Sequence, residues 1–175
     1  VLPGRCFPRF QASADDLGEF AEVFDARILE LLAQVRSVFT GRIVFGEAMK
    51  GFEYPDHGDW IGVGDFPVPQ LPAGSTVEEW RNAFDAALTE HIDTVHERYD
   101  KPVLMFQLDL MAEDEHDEAA LTEAFFQAIE DRPWVAGVFS WAYTMIDAPL
   151  KWDDGIRGQI SEAVFAKYYG TYAGK

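Results

Sequence analysis

Gln107 and Asp109 stand two residues apart at the far end of an apolar run, KPVLMFQLDL, from Lys101 to Leu110. Side chains alternate along a strand, so Met105, Gln107 and Asp109 are expected on one face, with Leu104, Phe106, Leu108 and Leu110 on the other. One face then ends in an amide and a carboxylate. In parallel α/β folds the carboxyl ends of strands are where chemistry is usually placed. Glu47, at the end of RIVFGEA (Arg42 to Ala48), is a second carboxylate in an equivalent position. Asp65 and Phe66 follow the strand-like WIGVG, and Trp141 closes GVFSW near the last strand end. Each also has a plainer reading: Glu47 solvated, Asp65 capping the turn before Pro67, and Trp141 packed in a core.

The histidines suggest no metal chemistry. His91 and His96 are five apart, which does not give the single helical face of an H-E-x-x-H zinc site, and His91 is expected to face the core. Ser140 lacks a G-x-S-x-G elbow, and Cys6, the one cysteine, lies outside any strand end. No metal and no other cofactor is expected. Fourteen basic residues against 31 acidic ones give a formal charge of −17, which repels nucleic acid and anionic membranes but accepts neutral substrates. No apolar run approaches the roughly 20 residues that span a bilayer. The opening VLPGRCFPRF lacks the basic and apolar regions of a signal peptide.

The elements that position these residues follow from apolar spacing. Ser13 and Asp16 resemble a capping box, and Phe20, Val23, Phe24, Ile28, Leu31, Leu32 and Val35 recur at helical spacing to about Val38. Strands are expected over Arg42–Ala48, Trp60–Gly64, Pro102–Leu110 and in WVAGVFSWAY. Thr76 and Glu79 make another capping box, opening one helix whose stripe runs from Val77 through Trp80, Phe84, Leu88, His91, Ile92, Val95 and Tyr99 to Asp100. AEDEHDE reads as an acidic loop before the next helix, and a last helix spans about Gln159 to Tyr169. Strands separated by helical crossovers specify an α/β fold with parallel strands. Neither a G-x-G-x-x-G nor a Walker A sequence follows any strand, which removes the usual support for a nucleotide fold. A (β/α)8 barrel needs about 250 residues. At 175 residues with four strands, the chain is expected to be a single partial domain, the second half (strands five to eight) of such a TIM barrel.

In order and spacing the motifs resemble the C-terminal half of a clan-A glycoside hydrolase, particularly the β-mannanase-like family 113 group. VRSVFTGRIVF resembles the segment entering strand five, DWIGVGDFP strand six, KPVLMFQLD strand seven, GVFSWAY strand eight, and IRGQISEAVFAKYY the closing tail. The resemblance runs from about residue 19 to 172 and implies hydrolysis or binding of β-linked polysaccharide such as mannan. It puts the nucleophilic Glu at Gln107, where an amide cannot be the anionic nucleophile of retaining hydrolysis. It puts the acid/base Glu on a fourth strand, at or just after which this chain is expected to begin. Trp141 resembles the sugar-stacking Trp of the family, while Asp65 and Phe66 would complete the substrate-binding set. Glu47 and Asp109 remain as another pair. Two strand intervals of about 4.8 Å separate their backbones by about 10 Å. That suits an inverting pair better than a retaining one, where about 5 to 5.5 Å is needed. The rival expectation is a non-catalytic carbohydrate-binding or scaffold half-barrel. In either case the partners are an oligo- or polysaccharide, and the missing N-terminal half-barrel or a second copy that covers the open sheet edges.

Overall fold

The structure, a computed structural model, describes residues 14–48, 57–64, 66–108, 110–112, 114–140 and 156–172. The chain divides into two compact units, Val1–Gly41 and Arg42–Lys175. The first holds α1 (Ala14–Val38), as the apolar spacing predicts, with Arg36 in its last turn donating to the Gly41 carbonyl at 2.7 Å. Ser13 lies outside the described residues.

The second unit contains β1 (Val44–Ala48), β2 (Trp60–Gly64), α2 (Val77–Leu88), a π-helical turn (Thr89–Asp93), α3 (Thr94–Tyr99), β3 (Val103–Leu108), α4 (Glu115–Glu130), β4 (Val135–Ser140) and α5 (Ile160–Tyr172). The four strands form one sheet in the order β1-β2-β3-β4, and every neighbouring pair is parallel. The expected α/β class and strand order therefore hold. Each helix that follows a strand starts at the carboxyl end of the sheet and returns to the other end.

One face of the sheet is covered by helices. Ile61 and Val63 of β2, Val103, Met105 and Leu108 of β3, and Val138 of β4 share a buried cluster with Trp80, Phe84 and Leu88 of α2, Ile92 of the π turn, Leu121, Phe125 and Phe126 of α4, and Phe165 and Tyr168 of α5. Aromatic edges hold it: Phe84 and Phe125 meet at 5.4 Å in a T-shaped pair, and Phe126 stacks on Tyr168 at 4.5 Å. The α4–α5 seam continues in a polar contact, where the Glu123 carboxylate accepts from Lys167 Nζ at 2.6 Å and Tyr168 Oη at 2.8 Å. Burial alone would push Glu123 up, but hydrogen bonds from Lys167, Tyr168 and Gln127 outweigh it and hold the carboxyl below its ordinary range. Burial first, and the bond to Glu123 second, push Tyr168 up to about 12.

The opposite face is built on glycine. A side chain at Gly62 would stand 2.6 Å from the Phe106 ring and 2.9 Å from Gly46 Cα, and one at Gly137 would stand 2.9 Å from Leu104 Cδ1. Leu104 and Phe106 thus lie across neighbouring strands in space that only glycine leaves free.

Three sequence expectations are corrected. The single long helix to Asp100 is broken by the π turn, which keeps Ile92 fully buried but sets His91 at the surface, its side chain 35% exposed and 4.0 Å from the Glu90 carboxylate. A π turn holds an extra residue, so the stripe resumes one position out of helical phase. AEDEHDE is mostly not a loop: Asp114 caps α4, accepting from the His116 and Asp117 N–H groups, and the acidic residues after it form the first turn, where the helix dipole favours them. Strict alternation in β3 also fails. Met105 pairs with Val138 and Leu108 with Ser140, so β3 carries one residue more than β4 between those rungs. Leu108 is therefore buried on the same face as Val103 and Met105 instead of joining Leu104 and Phe106.

Candidate functional site

All four strands point the same way, so their carboxyl ends lie along one end of the sheet. That end gathers Glu47, the fourth residue of β1; Gly64, ahead of Asp65; Gln107, inside the β3 irregularity; and Ser140, ahead of Trp141. Asp65, Asp109 and Trp141 themselves lie outside the described residues, as do the side chains of Glu47 and Gln107. In register Glu47 stands opposite Val63, which stands opposite Met105, and both of those side chains are buried against the helices. Gln107 lies two residues beyond that rung. The extra β3 residue falls within Phe106–Gln107, and bulges of this kind commonly re-aim a side chain beside an active site.

Phe66, expected among the substrate-binding residues, packs on the helix side of the sheet. It is 7% exposed, stacks on Phe84 at 6.4 Å and tilts against Phe125 at 6.4 Å, so its ring belongs to the helix-covered core.

The loops around this end of the sheet are tied down by groups that the sequence reading did not single out. Gly74, with φ +78°, donates its N–H to both carboxylate oxygens of Asp117 at 3.0 and 3.2 Å, joining the loop before α2 to the first turn of α4. Gly158, with φ +81°, donates to Glu162 at 2.8 Å, and Ser161 Oγ donates to the buried Glu118 carboxylate at 2.5 Å, joining α5 to α4. Gly74 in LPAGS and the acidic start of α4 were the available signals. Their pairing is between segments 43 residues apart, which no local pattern shows.

The other end of the sheet is occupied by a different constellation. Arg132 bridges α4 to β4 and donates to Asp93 Oδ1 at 2.8 Å, Asp85 Oδ1 at 2.9 Å, Thr89 Oγ1 at 3.2 Å and the Ala128 carbonyl at 2.6 Å. Burial opposes its charge, but hydrogen bonds and attraction from Asp93 and Asp85 outweigh that and hold the guanidinium above its ordinary value. A cavity of about 420 Å³ beside it is also lined by His96 and Trp134, whose rings stack at 4.4 Å. With its partners supplied from within, this cluster holds α2, the π turn and α4 together. At the amino ends of barrel strands such residues serve stability, whereas chemistry belongs to the carboxyl ends. Among the described residues no group of three or more His, Cys, Asp or Glu could hold a metal ion, and no helix is long and apolar enough to cross a membrane.

The fold has counterparts among solved structures. It matches a solved GH113 β-1,4-mannanase in complex, with a TM-score of 0.61 and 20% sequence identity over 86% of this chain and 52% of that one. A second GH113 β-1,4-mannanase structure matches with a TM-score of 0.57 and 22% identity over the same shares. The chain thus has a GH113-like, TIM-barrel-like α/β fold and spans about half the length of the structures it matches. No protein-family model and no curated protein matches the sequence.

Proposed function

We propose that this chain is the strand-five-to-eight portion of a glycoside-hydrolase-like (β/α)8 barrel, binding β-linked polysaccharide such as mannan at the carboxyl ends of its strands. The observation that carries the reading is Gln107 at the carboxyl end of β3, in a fold matched by β-1,4-mannanases. The strand order supports it, since β1 and β4 each have one strand neighbour among the described residues, and a further half-barrel would pair both outer edges. In this reading Gln107 occupies the nucleophile position and binds sugar hydroxyls through its amide, with Trp141 stacking on a sugar face and Asp65 accepting from a hydroxyl. Hydrolysis by a covalent route is absent or very low, because a neutral amide does not attack the anomeric carbon. The chain is then a carbohydrate-binding or scaffold portion. A second reading keeps catalysis with Glu47 and Asp109, whose strand spacing of about 10 Å between backbones suits an inverting pair better than a retaining one.

The test is release of reducing ends from mannan, mannooligosaccharides and cellooligosaccharides by a chain that also carries the upstream half-barrel. Gln107→Glu is expected to raise turnover by several orders of magnitude, since covalent catalysis underlies much of an acceleration of about 10⁶ or more. Robust turnover by the Gln107 form, unchanged in Gln107→Ala, would overturn the assignment and favour Glu47 and Asp109.

A further inference from the structure

The connection from β2 to α2 is long and irregular, yet it is held in one shape. Residues 66–76 contain no helix or strand, where about 2 to 6 residues usually join a strand to the next helix. Binding residues concentrate on such connections when a rigid scaffold positions them, and in barrels they stand at the carboxyl ends of the strands. Phe66 anchors the start of this one in the core, Val68 and Leu71 pack against that core, and Ser75 Oγ donates to the Pro72 carbonyl at 2.7 Å. Pro67, Pro69 and Pro72 restrict its backbone further.

Gly74 closes the connection. Its φ of +78° is a conformation that side chains rarely adopt, while the space around it is open, so glycine serves the turn and not a close approach. The turn aims its N–H at Asp117, whose two carboxylate oxygens accept it at 3.0 and 3.2 Å. Asp117 belongs to the first turn of α4, which Asp114 caps and which follows β3 with Gln107 near its end. The next residue, Glu118, is buried and accepts from Ser161 Oγ of α5. Neighbouring helix positions are turned by about 100° from one another, so these two carboxylates reach in different directions. The first turn of α4 is therefore where the segments following β2, β3 and β4 are joined.

We propose that Asp117 is a positioning residue for the carbohydrate site: through Gly74 it holds the connection after β2 at a fixed distance from the carboxyl end of β3, so that both meet one sugar chain without rearrangement. The inference rests on the carbohydrate reading above. Asp117 acts through the connection and not on the sugar. The physical reason is preorganisation: a connection released from its tie samples other shapes, and the apparent affinity falls with the fraction of molecules that hold the competent one.

The experiment uses the chain that also carries the upstream half-barrel, as Asp117→Ala, Asp117→Asn, Lys167→Met and the unsubstituted form, at a temperature where circular dichroism shows all of them folded. Calorimetry reads affinity for a mannooligosaccharide, and hydrogen exchange reads the Gly74 amide without ligand. Asp117→Ala is expected to expose the Gly74 amide to exchange and to lower affinity about tenfold, the worth of one hydrogen bond to a charged group. Asp117→Asn keeps an acceptor oxygen and is expected to stay within about threefold of the unsubstituted chain, the difference between a charged and a neutral acceptor. Lys167→Met removes a charged bond between α4 and α5 away from their first turns and is expected to leave affinity unchanged. Equal affinity of Asp117→Ala and the unsubstituted chain would overturn the inference and leave the carbohydrate reading standing, as would equal losses in Asp117→Ala and Lys167→Met. Exchange of the Gly74 amide in the unsubstituted chain at the rate of a free loop amide would also overturn it. Absence of binding by the unsubstituted chain would overturn the carbohydrate reading and, with it, the role of the tie.

Discussion

The two faces of the sheet are built on different plans. The helix-covered face has interlocking large side chains, with Ile61, Val63, Val103, Phe84 and Phe125 all fully buried. On the other face Leu104 and Phe106 lie over glycines, and the outer strands leave Val44 37% and Phe139 58% exposed. Among the described residues, α2, the π turn, α4 and α5 supply most of the partners that the strands' inward side chains share in the core. The other face carries small residues beneath Leu104 and Phe106 and has less large side-chain cover among the described residues.

The largest expected effect tests that contrast directly. Phe125 meets Phe66, Phe84 and Phe126 edge-on or tilted, so Phe125→Ala should leave a cavity and lower unfolding free energy by about 3 to 5 kcal/mol. Phe139→Ala should change it by about 0.5 kcal/mol or less in the chain alone. Urea midpoints at neutral pH read both. Comparable losses would mean that the two faces are equally packed.

Arg132 sharpens the comparison between the two ends of the sheet. Its side chain is 10% exposed, while Asp93 and Asp85 are 26% and 38% exposed, so removing it strands two carboxylates that water reaches only in part. Arg132→Met should cost about 2 to 3 kcal/mol, below the range for a fully buried pair. In a chain completed by the upstream half, sugar binding measured by calorimetry should be unchanged once the protein is folded. A loss of affinity equal to the loss of stability would move the amino end of the sheet into the binding site.

The sequence showed the fold more fully than the site, and particular residues explain why. Trp60–Gly64 and the Thr76–Glu79 box were legible because alternation, prolines and capping chemistry are local. The π turn at Thr89–Asp93 was not, since its cause is tertiary: it brings Thr89 and Asp93 to Arg132, about 40 residues further along the chain. The β3 irregularity was hidden for the same reason, because KPVLMFQLDL alternates plausibly in either phase until its register with β4 is fixed. Of the site, the sequence located Glu47 and Gln107 at strand ends, but the loop ties through Asp117 and Glu118 join segments 43 residues apart that no local pattern connects. The packing of Phe66 on Phe84 was not legible, because a strand-end aromatic before Pro67 looks the same whether its ring turns to a ligand or to a core.

The smallest effect concerns the Thr76 capping box, which starts α2 under the helix-covered face. Thr76 Oγ1 accepts from the Glu79 N–H at 3.3 Å, and the Glu79 carboxylate accepts from the Thr76 N–H and hydroxyl at 2.8 Å each. Thr76→Ala should cost about 1 kcal/mol at neutral pH. The Thr76 backbone bond first, and its hydroxyl second, hold the Glu79 carboxyl below its ordinary value. The folded pKa is then lower than the unfolded one, so the carboxylate's contribution is complete above the unfolded value of about 4.3 and is lost as pH falls through the folded value. Urea midpoints from pH 7 downward should therefore fall less steeply for Glu79→Gln than for the unsubstituted chain below about pH 4.3, and the two curves should converge in acid. The gap between Thr76→Ala and the unsubstituted chain should narrow over the same window without closing, because the bond from the Glu79 N–H to Thr76 Oγ1 does not depend on charge. Parallel curves for Glu79→Gln and the unsubstituted chain would show that the carboxylate makes no net contribution and that the hydroxyl alone caps the helix.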